Sequence, residues 1–260
     1  MRKSIRDGTN YPLQIEELNK VIQPYLHDDF FFLNIGACDG VMGDPVYPLA
    51  RKYHWKGIAV EPVPYNFEKL VENFASEPQV TLVNAAISET PQLFWYVDEH
   101  ETSLPHIVNQ MGSLDRNHLL KNLLNLKILA AGGPLKSSPS FLAEYAPEGY
   151  GEKNYEDGTS VDPNVEAYVK SVEIPCYTVM QLLDEHGITS VDYLNIDAEG
   201  FDHIILGMVD FERIRPSIIC IETTSFNDDL ENSIEDDLEK QNYVFARRYG
   251  LYSKVFVQKR

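Results

Sequence analysis

The apolar run Phe30–Ile35 and the small-residue turn Gly36–Gly40 constrain the fold of this chain more than any other part of the sequence. A second apolar strand, Gly57–Val60, follows roughly twenty residues later and closes on Glu61, which is the spacing of one strand–helix–strand unit. This layout is typical of a nucleotide-type cofactor site on an open parallel sheet. Glycine there lets the backbone approach the ligand, and the acid accepts the ribose hydroxyls.

The composition of the turn favours one cofactor over another. Dinucleotide enzymes place three glycines as G-x-G-x-x-G, so that a helix N-terminus can take the pyrophosphate. Here only Gly36 and Gly40 are in register, and Asp39 lies between them. A carboxylate would repel a pyrophosphate, whereas it suits the cationic amino group of S-adenosylmethionine (SAM). The sequence therefore favours a methyltransferase over an NAD-dependent oxidoreductase.

Hydrophobic periodicity predicts an α/β fold with a mostly parallel central sheet and an antiparallel pair at its C-terminal end. Helices are predicted over Tyr11–Leu26, Pro45–Tyr53, Pro64–Phe74, Val179–His186 and Leu230–Gln241. Strands are predicted over Phe30–Ile35, Ile58–Glu61, Val80–Val83, Leu93–Val97, Val172–Ile174, Val191–Ile196 and Ile218–Ile221, with Tyr243–Arg248 and Tyr252–Val257 as the closing pair.

We expect a single domain over residues 1–260, with residues 1–27 as a helical cover. Residues 89–170, after the third strand, are predicted as a long insertion because they are polar and rich in glycine and proline, apart from a helical patch over Asn117–Leu129. Such an insertion is typical of a lid or a binding loop. We expect it to cover the substrate, with Tyr145, Tyr150 and Tyr155 as candidate walls of an acceptor pocket or as packing residues.

The charge and the cysteine content indicate which kinds of binding partner and which cellular compartment to expect. The formal net charge of −18 argues against a nucleic-acid backbone or an anionic membrane as the main partner, and we expect neither. No apolar run has the length of a membrane span. The three cysteines are widely spaced and form no metal-binding pattern, which favours a reducing compartment and a cytoplasmic location. The sequence leaves the oligomeric state open, and a homodimer is among the states it allows.

Polar residues stand at the carboxyl ends of five successive predicted strands, where open α/β sheets bind their ligands. They are Asn34, Gly36, Asp39 and Gly40 after the first strand, Glu61 after the second, Asn84 and Ala85 after the third, Asn195, Asp197 and Glu199 after the fourth, and Glu222 after the fifth. Each has a structural explanation when taken singly, such as a helix cap or a solvated strand end. Together they indicate a cofactor site.

Four motifs in this set give the chain a family resemblance. They are Gly36–Ala37 after the first strand, Glu61–Pro62 after the second, Asn84–Ala86 after the third, and the segment I-D-x-E-G at Ile196–Gly200. With them the chain resembles the FkbM family of SAM-dependent methyltransferases over roughly Phe30–Glu222. One departure is Asn195, because many members carry lysine directly before I-D-x-E-G, and a role for that cation does not carry over.

The resemblance implies a Rossmann-like class I methyltransferase fold and methyl transfer from SAM to a hydroxyl oxygen. The acceptor would be a small metabolite, a sugar or other glycan, or a polyketide-type product of secondary metabolism. Gly36, Ala37, Asp39 and Gly40 would hold the methionine part of SAM and Glu61 the ribose. Asn84 or Ala85 would lie beside the adenine, and the expected cofactor set also includes Asn34, Pro62 and Asp197.

An alcohol is a poor nucleophile until a base or a metal ion takes its proton. The candidate catalytic residues are Asp197, His203 and Glu222, with His106 and His118 as further candidates from the insertion. Asp197, Glu199 and Glu222 could instead hold Mg²⁺ or another divalent cation such as Ca²⁺. The alternative is that Glu199 and Asp202 bind backbone amides of their own turn.

Two further classes of protein compete with a small-molecule methyltransferase. A SAM-binding regulatory or scaffold protein could retain the pocket without turnover. Nucleic-acid methylation is disfavoured by the acidic charge and by the lack of an Asn-Pro-Pro-Tyr type segment for a flipped base.

Overall fold

The structure is a computed structural model of the chain, and it describes residues 11–41, 44–97, 111–120, 122–123, 167, 169–223, 225–250 and 253–260. Internal contacts divide the chain into two compact units. The larger unit comprises Leu13–Gln92 and Glu173–Arg260, and the smaller comprises Met1–Pro12 and Leu93–Val172. The expectation of a single domain stays a prediction, as does a substrate-covering role for residues 89–170.

The main helices of the described ranges are α1 (Tyr11–Ile22), α2 (Val46–Tyr53), α3 (Pro64–Asn73), α4 (Val179–Glu185), α5 (Asp202–Gly207) and α6 (Asp228–Lys240). The strands are β1 (Phe31–Ile35), β2 (Lys56–Val60), β3 (Val80–Val83), β4 (Ala86–Ile87), β5 (Leu93–Val97), β6 (Gly112–Ser113), β7 (Val169–Glu173), β8 (Cys176–Tyr177), β9 (Tyr193–Ile196), β10 (Ile218–Glu222), β11 (Tyr243–Tyr249) and β12 (Ser253–Gln258).

Seven strands of the larger unit form one sheet in the order β11-β12-β10-β9-β1-β2-β3. The neighbours from β10 to β3 are all parallel, whereas β12 is antiparallel to both β10 and β11. This is the Rossmann-like sheet with an antiparallel C-terminal pair, and the fold-class prediction is confirmed. Because β1 and β9 are central neighbours, the turns at their carboxyl ends meet in the middle of one edge.

The central strands are apolar because helices cover both faces of a parallel sheet. Phe32 and Leu33 of β1 and Leu194 of β9 are completely buried. At the opposite, amino edge of the sheet an aromatic cluster closes the core of the larger unit. There the ring centroids of Phe30 and Trp55 lie 4.6 Å apart, and Trp55 is 2% exposed.

The smaller unit has its own strands. β5 pairs antiparallel with β6, and the sheet has the order β6-β5-β7. The Arg116 guanidinium lies 5.5 Å from the centre of the Trp95 ring on β5. Residues 116–120 are helical, which is the start of the predicted helical patch, whereas residues 124–129 lie outside the described part of the chain.

Several element bounds differ from the sequence prediction. The first helix ends at Ile22 and continues as a 3₁₀ turn over Gln23–Tyr25, because Pro24 has no N–H for the α-helical hydrogen bond. The strand predicted to begin at Val172 begins at Val169. The sequence prediction missed β4, β6, β8 and α5, whose two to six residues are too few to show a period.

Among the helices in the described ranges, we find none that combines the length and the apolar character required to cross a membrane.

Candidate active site

The turn after β1 is held against both neighbouring strands. Gly36 has φ +80°, and its N–H and that of Ala37 both donate to the Val60 carbonyl at 3.0 Å. A Cβ atom at Gly36 would lie 1.6 Å from the Asp197 carbonyl oxygen at the end of β9. Glycine is therefore required here by the close approach of two strand ends, in addition to any approach of a ligand.

The rest of this turn packs on α3. The Gly40 N–H donates to the Ala37 carbonyl at 2.8 Å, and a Cβ at Gly40 would meet the side chains of Leu70 and Phe74, both at 2.8 Å. The Asp39 carboxylate accepts from the Val41 N–H at 2.8 Å. The carboxylate predicted to face the methionine part of SAM thus also stabilises its own turn.

Glu61 links the turn after β1 to the turn after β2. One carboxylate oxygen accepts from the Cys38 N–H and the other from the Val63 N–H, both at 2.8 Å. Burial raises the pKa of Glu61 to about 7, against the lowering effect of these two amides and of the Asn66 side chain. The Glu61 side chain is only 4% exposed, and it lies between the turns after β1 and β2, the two backbone segments predicted to hold the cofactor.

Asn84 ties the third strand end to the second. Its side-chain amide donates to the Glu61 carbonyl at 2.8 Å and to the Pro62 carbonyl at 3.3 Å. Ala85, the next residue, is completely buried. The structure therefore brings together the residues that were predicted for ribose and adenine, and it joins them through the backbone of Glu61 and Pro62.

Asn34 belongs to a chain of side-chain hydrogen bonds that we call the amide relay (Asn195, Asn34 and Asp44). The Asn195 amide donates to the Asn34 oxygen at 2.8 Å, and the Asn34 amide donates to one Asp44 oxygen at 2.7 Å. The other Asp44 oxygen accepts from the Val46 N–H at 2.6 Å, at the start of α2. Exposures of 0% for Asn34, 4% for Asn195 and 7% for Asp44 leave almost no surface for a ligand.

The segment after β9 is organised by a buried acid. The carboxylate of Asp202 accepts from the Ala198 N–H at 2.9 Å and from the Gly200 N–H at 3.1 Å. Burial raises the pKa of Asp202 to about 7, and the charge of Asp197 adds to the shift. For Asp202, the expected alternative to metal binding, a carboxylate on the amides of its own turn, is what the structure contains.

Glu199, at the centre of this turn, has φ +47°, a left-handed conformation that costs a non-glycine residue about 1–2 kcal/mol. Burial and the neighbouring charges of Asp197 and Asp202 raise the pKa of Glu199 well above its usual range. This shift favours the neutral, protonated form of Glu199 beside Asp197.

Asp197 itself is exposed, unlike the acids around it. Burial of its surroundings nevertheless raises the pKa of the carboxyl group to about 6. At neutral pH this carboxyl group is mainly ionised and able to accept a proton.

Three carboxylates come together at this point. Oxygens of Asp197, Asp202 and Glu222 all lie within 4.8 Å of one another, the only such group of potential metal ligands in the ranges that the structure describes. The predicted metal set contained Glu199 in place of Asp202. Oxygen ligands of this kind suit Mg²⁺ or Ca²⁺, but both Asp202 oxygens already accept backbone amides.

The candidate histidines differ in their placement. The His203 ring stands edge-on to Phe226, with centroids 5.7 Å apart, and its Nδ1 is buried with no hydrogen-bond partner among the described residues. Burial lowers the pKa of His203, which favours the neutral form of the ring. The His118 Nε2 lies 3.1 Å from the Asn122 amide, and His106 lies outside the described residues.

Asp44 is the site-related residue that sequence reasoning missed. It stands directly before Pro45 and the start of α2, and an Asp-Pro pair at that position is a usual signal for the N-terminus of a helix. The signal identifies a cap, but it does not reveal that the other carboxylate oxygen binds a side chain of the central sheet.

Comparison with known proteins identifies the family. Residues 34–245 match the family model described as the methyltransferase FkbM domain, which is more than half of the chain. The match begins at Asn34 of the amide relay and includes Glu61, Asn84 and the segment after β9. No curated protein shows significant sequence similarity to this chain.

Several solved structures resemble this chain at low sequence identity. A fibrillarin/Nop5p complex has 12% identity and a TM-score of 0.42, covering 95% of this chain and 83% of that one. Precorrin-6y C5,15-methyltransferase from Geobacter metallireducens GS-15 has 12% identity and a TM-score of 0.42, covering 100% and 92%. The human METTL16 catalytic domain in complex with MAT2A 3'UTR hairpin 6 has 12% identity and a TM-score of 0.40, covering 95% and 70%.

Proposed function

Because this chain belongs to the FkbM family of SAM-dependent methyltransferases, we propose that it methylates a hydroxyl oxygen of a small metabolite, a sugar or a polyketide-type acceptor. The observation that carries the proposal is the family match over residues 34–245, which includes the exposed acid Asp197 at the carboxyl end of β9. The acidic net charge of −18 supports an acceptor other than a nucleic acid, and that expectation stays a prediction.

In this proposal the first three strand ends bind SAM. Gly36, Ala37, Asp39 and Gly40 hold its methionine part, and Glu61 holds the ribose. Pro62, Asn84 and Ala85 border the adenine. When bound, SAM supplies a methyl group on a positively charged sulfur, and positioning of the acceptor oxygen in line with that bond supplies much of the acceleration. The carboxylates of the edge favour a cationic ligand over a pyrophosphate.

Asp197 is the proposed general base. It is exposed, and it is mainly ionised above about pH 6. His203 is a weaker candidate because its Nδ1 is buried, so that only the other ring nitrogen could face a substrate. Glu222 lies close enough to stabilise the protonated form of Asp197.

A divalent cation is the alternative source of acceptor activation. Asp197, Asp202 and Glu222 would hold it, and it would lower the pKa of the acceptor hydroxyl. We place it second, because the backbone amides of Ala198 and Gly200 already occupy the Asp202 oxygens. Exhaustive chelation separates the two mechanisms, since a carboxylate base retains full activity and a metal-dependent site loses it.

The test of the cofactor is calorimetric titration with S-adenosylhomocysteine (SAH) and, in parallel, with NAD⁺, for the wild type and Glu61→Ala. We expect micromolar binding of SAH that weakens by about tenfold or more in the variant, a loss of about 1.4 kcal/mol. Binding of NAD⁺ alone would indicate an oxidoreductase. If neither ligand binds, the carboxyl edge is not a cofactor site.

A SAM-binding scaffold without turnover is the rival outside catalysis. It would bind SAH in the same way, but loss of Asp197 and Glu222 would leave its partner binding unchanged. An enzyme would keep SAH binding in Asp197→Asn and lose its rate of methyl transfer. The two functions are therefore separated by a variant of the proposed general base, with SAH, which has no charge on sulfur, as the ligand.

A further inference from the structure

The amide relay crosses the two central strands directly below the candidate site. Asn34 of β1 and Asn195 of β9 are register partners, and each stands two residues before a key position of the site, Gly36 and Asp197 respectively. Side chains two residues apart on a strand point to the same face. The relay therefore links β1 to β9 two residues before the strand ends, where the Asp197 carbonyl approaches Gly36 closely.

Each of the three hydrogen bonds of the relay pairs an N–H donor with an oxygen acceptor. The Asn195 N–H meets the Asn34 oxygen, the Asn34 N–H meets one Asp44 oxygen, and the Val46 N–H meets the other. A buried polar group left without a partner costs about 1–3 kcal/mol, so one mismatch in the series disturbs its neighbours. The series also connects three elements, since it runs from the end of β9 through β1 to the start of α2.

We propose that Asn195, Asn34 and Asp44 are positioning residues, which act through the strand ends to hold the Asp197 carboxylate and the turn after β1 in the geometry that binds SAM. This proposal rests on the proposed function. It assigns Asn34 an indirect role in cofactor binding, because the side chain is completely buried and its two hydrogen bonds are directed at Asn195 and Asp44.

Exchanging asparagine and aspartate along the relay changes hydrogen bonding and leaves the packed volume almost unchanged. Asn34→Asp would set two carboxylates face to face across the 2.7 Å contact with Asp44. Asp44→Asn would set two amide groups against each other at the same contact. The double variant N34D/D44N restores every pair. The new carboxylate at position 34 would accept from Asn195 and from the new amide at position 44, whose oxygen would accept from Val46.

The experiment measures the SAM dissociation constant by calorimetry, well below the unfolding midpoint of every variant. We expect SAM binding to weaken about tenfold or more in each single variant and to return to within about threefold of the wild type in the double variant. If Asn34→Asp does not fold, the comparison of SAM affinity between Asp44→Asn and the double variant tests the proposal. Wild-type affinity in Asp44→Asn would overturn the proposal, because the relay would then only stabilise the fold.

Tyr243→Phe is the matched control. It removes a buried hydrogen bond of 2.6 Å from the Tyr243 hydroxyl to the Pro216 carbonyl, before the start of β10. This control should lower thermal stability and leave SAM affinity unchanged. If Tyr243→Phe weakens SAM binding as much as the relay variants do, the effect is general destabilisation, and the proposal fails.

Amide hydrogen exchange supplies a readout without a ligand. We expect exchange to accelerate about tenfold at residues 36–40 and 197–200 in the single relay variants, and to remain at the wild-type rate in Tyr243→Phe and in the double variant. A wild type that does not bind SAM would overturn the proposed function, whereas unchanged exchange in the single variants would overturn the relay. The two failures are thus distinguishable.

Discussion

Glu61 and Asp202 each hold two backbone N–H groups, and they do so before any ligand arrives. Each acid therefore organises a turn of the site, and its replacement changes the backbone as well as the charge. A substitution that tests catalysis without disturbing the backbone should therefore be made at Asp197, which is exposed, and not at Glu61 or Asp202.

Gly36→Ala should destabilise the protein by roughly 3 kcal/mol or more, since the new Cβ would lie 1.6 Å from the Asp197 carbonyl oxygen. Gly187→Ala is the control, because Gly187 also has a positive φ, +67°, but has no atom within 4 Å of an added Cβ. It should cost only about 1–2 kcal/mol for the left-handed conformation. Urea unfolding of both variants measures the difference. Equal losses would show that the Gly36 contact relaxes at little cost.

SAM binding should strengthen by about tenfold or more as the pH rises from about 5 to about 8. The pKa values of Asp197 and Glu61 are raised to about 6 and about 7, so that these carboxyl groups become negatively charged in this range, and SAM carries a sulfonium cation. SAH lacks the charge on sulfur and should respond less. Calorimetry of both ligands at the two pH values measures the ratio, and an identical response would contradict a role for these charges.

At the scale of elements, the sequence predicts what has a period or a continuous apolar run. β1 and β9 are recognisable because buried parallel strands are apolar throughout. The two-residue strands β4 and β8 have no detectable pattern. The amide relay was also beyond prediction, because Asn34 and Asn195 are 161 residues apart and only the sheet register makes them neighbours.

Thr178→Ala should lower the free energy of unfolding by about 1 kcal/mol. The Thr178 hydroxyl accepts from the Gln181 N–H at the start of α4, and the Gln181 side chain accepts from the Thr178 N–H in return, which forms a capping box. Thr189→Ala, an exposed position outside the helix, is the control. A loss no greater than that of the control in urea unfolding would mean that the capping box does not stabilise α4.

At the scale of the whole molecule, acids with raised and lowered pKa values act in different ranges of pH. Acids whose pKa is raised on folding stabilise the protein below their unfolded pKa, and this stability is lost as the pH rises through the folded value. Asp44, Glu61 and Asp202, each near pKa 7, lose it between about pH 4 and about pH 7. Paired acids with lowered pKa values, such as Glu77 and Glu231, act in the opposite sense at lower pH.

The unliganded protein should therefore be most stable at about pH 4 to 5 and become less stable toward neutral pH, in the same direction as the self-repulsion of its net charge of −18. Urea unfolding across this range measures the free energy of unfolding as a function of pH. In Asp44→Asn, this free energy should fall less steeply toward neutral pH than in the wild type. Stability that rises steadily from pH 5 to about pH 7 would contradict the assignment of these buried acids.

The two compact units differ in one respect that spectroscopy can use. The sequence contains two tryptophans, and the structure assigns Trp55 to the larger unit and Trp95 to the smaller. Each of the two units therefore has its own tryptophan as an intrinsic fluorophore. In Trp95→Phe the emission reports on the larger unit alone, and in Trp55→Phe on the smaller. Coincident denaturation curves would identify one cooperative block, whereas separated curves would identify two that melt in sequence.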